Sequence, residues 1–149
     1  MNISPISLAF KKCKEERRPA LLTYTVAGDN TKKKSLEILN AISNHADICE
    51  IGFPHNTPIA DGGQIQTSAY RAIKNGIKMK DVFQIVKNFK KNKSNLPLKF
   101  IFTLPTLKNR NMNILSIPSL KYFSNRKNRK FFSSIDFHFK PILSLSRFN

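Results

Sequence analysis

Hydrophobic positions recur along the first two-thirds of the chain in two alternating rhythms. Ser4-Pro5 forms an N-cap and first-turn pair, and Ile6, Phe10 and Cys13 follow at helical spacing until Pro19 stops the run. "ALLTYTVAG" (20–28) is apolar and rich in β-formers, as a buried strand is. Asn30 or Thr31 can cap a helix whose apolar face is Leu36, Leu39, Ile42 and Ala46. "DICEIGF" (47–53) predicts a second strand. "QIQTSAYRAIKNG" (64–76) predicts a helix with Ile65, Ala69, Ala72 and Ile73 on one side and Gly76 as its stop. "MKDVFQIVKNFKKNK" (79–93) presents Val82, Phe83, Val86 and Phe89 at the same period, and "LPLKFIFTL" (96–104) predicts a third strand. Short strands alternating with amphipathic helices are the mark of parallel βα units, so the fold class is α/β.

Past about residue 98 the rhythm breaks. No glycine follows Gly76, no alanine follows Ala72, and eight of the 12 phenylalanines fall in residues 99–149. Residues 1–98 form one unit on this reading. Residues 99–149 form a basic Phe/Asn/Ser-rich segment, expected to be poorly ordered and of a composition that an out-of-frame reading of AT-rich coding sequence would give. Charge follows the same division. The whole chain of 149 residues is +17, with 16 Lys/Arg against 8 Asp/Glu before residue 99 and 10 against 1 after it.

Length and composition narrow the classes. The chain is long enough for one core and too short for two sizeable ones. Cys13 and Cys49 have no metal-ligand spacing and are expected as free thiols in a reducing cytoplasm. His45, His55 and His138 are scattered, so no metal is expected. Gly52 and Gly62-Gly63 do not make a phosphate-cradling GxGxxG loop. The N-terminus lacks a secretory pattern, and no run approaches a membrane span.

Two carboxylates stand out. In "DICEIG" alternation puts Ile48 and Glu50 on one face and Cys49 and Ile51 on the other. A glutamate near the C-terminal end of a parallel barrel strand, on the inner face, sits where such barrels perform chemistry. Asp61 follows in a loop loosened by Gly62 and Gly63. Two carboxylates in a partly apolar mouth can divide acid and base duties. Equally, Asp-Gly is turn chemistry and a strand-end glutamate often pairs with a base.

The stretches "PALLTYTVAGDN" (19–30) and "ADICEIGFPHNTPIADGGQIQTSAYRAIKNG" (46–76) resemble the tryptophan synthase alpha chain family, over roughly residues 5–95. The resemblance implies a partial (β/α)8 TIM barrel, the first three βα units at most, with an irregular basic C-terminal segment. It implies retro-aldol cleavage of indole-3-glycerol phosphate to indole and glyceraldehyde 3-phosphate, without cofactor or metal. Glu50 falls on the family's catalytic glutamate, Asp61 on its catalytic aspartate, and Tyr24 on an aromatic position lining the indole pocket. A tryptophan synthase beta chain is the implied partner.

Three departures accompany it. His55-Asn56-Thr57-Pro58 stands where many members have Phe-Ser-Asp-Pro, and Gly63 replaces a proline. A barrel of this kind needs about 250 residues. The family's late, glycine-rich phosphate site and its Tyr-x-Asn segment have no counterpart here. Two further readings follow from these departures. One is a remnant barrel, weakly active or inactive, with an exposed sheet edge. The other is a basic binding module for nucleic acid or acidic surfaces, using Phe131, Phe132, Phe137 and Phe139 among the cations of residues 99–149.

Overall fold

The computed structural model describes residues 4–55, 61–104 and 136–141. Helix α1 (Pro5–Glu15) starts as the sequence predicts: Ser7 N–H donates to Ser4 Oγ at 3.2 Å, and Pro5 occupies the first turn. It stops before the charged run ends. Arg17 turns into the left-handed region at φ 53°, which reverses the chain ahead of Pro19. Arg18 then grips Asp47 with two hydrogen bonds of 2.7 Å, and Leu21 N–H donates to the same carboxylate at 2.8 Å. Those bonds, Arg18's foremost, hold the Asp47 carboxyl well below the usual range.

Strand β1 (Leu22–Val26) is shorter than the apolar run that predicts it. Helix α2 (Lys32–Ile42) is capped by Thr31, whose Oγ1 accepts from Lys34 N–H at 3.0 Å. Strand β2 (Ile48–Gly52), helix α3 (Gly62–Lys74), helix α4 (Met79–Asn92) and strand β3 (Leu98–Leu104) follow in the expected order. A further strand, β4 (Asp136–Pro141), lies within the segment expected to be irregular. Its sequence, DFHFKP, alternates aromatic and polar residues over one short run, a period-2 signal swamped by its flanks. The rest of the segment beyond β3 lies outside the described residues, as does the expectation of poor order that falls on it.

The four strands form one sheet in the order β1-β2-β3-β4, every neighbouring pair parallel. This is the partial α/β barrel the sequence implies, with β4 added to the three expected strands. Register pairs Tyr24 with Glu50 and Glu50 with Lys99, so strand alternation sorts the side chains cleanly. Cys49 and Ile51 of β2 and Leu98 and Phe100 of β3 point to the helices. They are buried with Leu39 of α2 and with Val82, Phe83, Val86 and Phe89 of α4. The Phe83 and Phe100 rings meet at 5.9 Å. Both thiols, Cys13 and Cys49, are free and buried.

On the opposite, inner face lie Leu22 and Tyr24 of β1, Glu50 and Gly52 of β2, and Lys99 of β3. At the C-terminal end of β1, α3 closes over Val26 with Ala69 and Ala72. Among the described residues, no helix is long and apolar enough to cross a membrane.

Candidate active site

Parallel pairing places Tyr24 and Glu50 side by side on the inner face. Gly52, two residues on, leaves room for the Tyr24 ring. A Cβ built there would collide with the Tyr24 hydroxyl and Cζ. Asp61, at the N-cap position of α3, is near enough to act on the same hydroxyl. Burial pushes the Tyr24 phenol up to about 12, and the Asp61 and Glu50 charges add to the shift. The structure thus brings together Tyr24, Glu50 and Asp61, at the C-terminal side of parallel strands.

Each carboxylate has a basic neighbour. Lys99 Nζ lies 3.1 Å from Glu50 Oε1, with both side chains partly covered. His55 Nε2 lies 3.7 Å from Asp61 Oδ2, also in a partly covered setting. Neither base was legible as a site residue from composition or spacing. Lys99 becomes visible only when "DICEIG" and "LPLKFIFTL" are set in parallel register, which puts the two side chains at the same height. His55 reads as a lone histidine until the structure sets Asp61 Oδ2 near it.

Asp61 itself is unusual for its position. An aspartate at a helix N-cap ordinarily accepts from the second or third helical N–H, yet this one makes no side-chain cap hydrogen bond. Gly62 follows at φ +76°, a left-handed conformation that favours glycine. Residues 56–60, between His55 and Asp61, lie outside the described residues.

A second anchor fixes α3 over the mouth. Arg71 donates to both oxygens of Asp29 at 2.8 Å, and Asn75 donates to the Asn30 carbonyl. The Arg71 guanidinium holds the Asp29 carboxyl below its ordinary range. A cavity of about 180 Å³ opens between α2 and α3, on the far flank of Tyr24, and neither Glu50 nor Asp61 lines it. Thr25 Oγ1, one of its lining residues, is buried without a hydrogen-bond partner among the described residues. No cluster of three or more histidine, cysteine or carboxylate side chains able to hold a metal occurs among the described residues. Of the aromatic residues proposed for nucleic-acid stacking, Phe131 and Phe132 lie outside the described residues, and no comparison supports that reading.

Residues 10–115 match the family model for the tryptophan synthase alpha chain. The tryptophan synthase alpha chain of Pelagibacter ubique is 78% identical over 96 residues, which is 64% of this chain and 36% of that protein. That of Pyrococcus furiosus is 45% identical over 75 residues, 50% of this chain and 30% of the relative. Among solved structures, the alpha subunit from Legionella pneumophila str. Paris superposes with TM-score 0.61 at 30% identity, covering 68% of this chain and 39% of the other. The Pyrococcus furiosus α2β2 complex gives TM-score 0.54 at 42% identity, over 56% of this chain and 36% of that chain. The chain spans about a third of the length of the curated relatives it matches.

Proposed function

The chain belongs to the tryptophan synthase alpha chain family, and from that premise we propose that Tyr24, Glu50 and Asp61 carry the acid/base half of an indole-3-glycerol phosphate lyase site. The observation that supports this reading is that Tyr24 and Glu50 are register partners on the inner face, with the Glu50 and Asp61 charges both acting on the Tyr24 phenol.

The chemistry needs such a set. A proton added at indole C3 leaves positive charge on the ring N–H. A base takes the proton of the side-chain hydroxyl next to C3. The electron pair of the C–C bond returns to the ring, releasing indole and the aldehyde, with no net change in protons. Glu50 is suited to give and take these protons, Asp61 to face the ring N–H as charge develops, and Tyr24 to line the ring. No metal or organic cofactor is required. Turnover of the phosphorylated substrate by these 149 residues by themselves is expected to be weak, because they span about a third of the length of the curated relatives. A beta chain is the proposed protein partner, by analogy with the Pyrococcus furiosus complex, and the cytoplasm is the proposed compartment.

The half-reaction can be measured alone. Deuterium exchange at indole C3, followed by proton NMR in heavy water with the full chain, should run above the buffer rate. It should return to that rate in Glu50→Gln. Exchange that survives Glu50→Gln, or none above buffer, overturns the reading. Indole release from indole-3-glycerol phosphate, with and without a beta chain, then reports how much of the full reaction remains.

A further inference from the structure

We propose that Lys99 is a carbonyl-capturing amine that forms an iminium with small aldehydes, with Glu50 moving the protons. Lysine joins carbonyl compounds covalently where its ammonium can shed a proton beside the arriving carbonyl. Three observations place that chemistry at Lys99. Its Nζ lies 3.1 Å from Glu50 Oε1, within reach for direct proton transfer. The two are register partners on the inner face of parallel strands, so β2 and β3 fix the pair in place. Their cover is partial, with Lys99 29% and Glu50 17% exposed, so the pair is withdrawn from bulk water yet a small molecule can reach the amine. Tyr24, the register partner of Glu50 on its other side, keeps its phenol proton to about 12 and stands there as a neutral donor. Lys11 with Glu15 and Lys12 with Glu16 make the contrasting case: their separations are 3.9 and 3.8 Å, and both lysines stand out in water.

The step balances without a further reagent. The Lys99 ammonium passes one proton to the Glu50 carboxylate. The free amine adds to the aldehyde carbon, and a proton moves from the nitrogen to the former carbonyl oxygen, giving a carbinolamine. Glu50 then returns its proton to that oxygen. The C–O bond breaks, water leaves, and the nitrogen lone pair closes the C=N bond. The iminium carries the positive charge that the ammonium had, so the ion pair with Glu50 is restored at the end. A carboxylate partner thus serves first as base, then as acid, and finally as counter-ion. The inference does not rest on the indole reaction, since the aldehyde can be supplied from outside.

The test is reductive trapping of the full chain with glyceraldehyde and cyanoborohydride at neutral pH, read by peptide mass spectrometry. Labelling of Lys99 should exceed that of Lys11 and Lys12 about five-fold, and the ratio should fall to about one in denaturing urea. Labelling of Lys99 at or below the two exposed lysines overturns the proposal. In Glu50→Gln the labelling of Lys99 should drop at least about five-fold, while Lys11 and Lys12 keep theirs. Undiminished labelling would mean that Glu50 only holds the ammonium, and it overturns the proposal as well. Protection of the buried Cys49 thiol from alkylation shows that the variant is folded. Should the variant unfold, the ratio in the unaltered chain decides alone. Indole C3 exchange reads the proposed reaction separately, so either result can fail while the other stands.

Discussion

The two faces of the sheet are built from different kinds of residue. On the helix side Cys49 and Ile51 are 0% exposed and Leu98 and Phe100 1%, while the inner side is mixed: Leu22 is 45% and Tyr24 36% exposed, and Ile48 is 0%. The helix side also carries no charge among those residues, whereas the inner side holds Glu50 and Lys99. A βα unit finishes its outer layer locally, because each crossover helix lands on the strands it connects. The inner layer is assembled from strands far apart in sequence and is complete only when eight strands close. Most of the core and the candidate site therefore lie on opposite faces of the same strands, with Ile48 the buried residue on the site's side.

The contrast can be broken from either side. Phe89→Ala, in the middle of the helix-side core, should cost about 3–5 kcal/mol in urea unfolding, enough to remove most of a marginal domain's stability. A loss under about 1 kcal/mol would mean that the helix side is not the main core. Gly52→Ala should cost about 1–3 kcal/mol, because the new methyl meets the Tyr24 ring rather than open space. Near-ultraviolet circular dichroism should show Tyr24 displaced.

Tyr24 should titrate near pH 12 by its absorbance at 295 nm, and Asp61→Asn or Glu50→Gln should each bring that midpoint down. The sign for stability follows. The unfolded phenol loses its proton near the ordinary value of about 10, while the folded one keeps it. The folded chain thus binds more protons, and stability falls between about pH 10 and 12. Leu22→Ser should matter least, under about 0.5 kcal/mol, as an exposed position does. A cost comparable to that of Phe89→Ala would show the inner face covered, and the contrast between faces would fail.

Periodicity made the helix side legible in advance. Leu39, Val82, Phe83, Val86 and Phe89 repeat at helical spacing, and the four strand residues they cover alternate with polar ones. Such patterns need only neighbours in sequence. The carboxylates were legible as a pair because Glu50 interrupts an apolar strand and Asp61 sits between turn residues. The resemblance then supplied the expectation of their roles. Lys99 and His55 were not legible, since each depends on where a different segment comes to rest. Lys99 needs the β2–β3 register, and His55 needs the approach of Asp61 at the start of α3. Strand β4 was missed for a different reason: six alternating residues say little beside a long stretch without glycine, alanine or helix caps. The early end of α1 turns on a single left-handed residue, Arg17, which no propensity favours.

The burial of the two cysteines gives the molecule a pair of clocks. Cys13 is buried on the first helix, and Cys49 sits between sheet and helices at the centre. A thiol reagent can reach neither without an opening. Alkylation of Cys13 should time the peeling of that first helix, and alkylation of Cys49 the rupture of the main core. The first should run faster than the second at every denaturant concentration below the unfolding midpoint. Mass spectrometry of the singly modified chain would read the order of events directly.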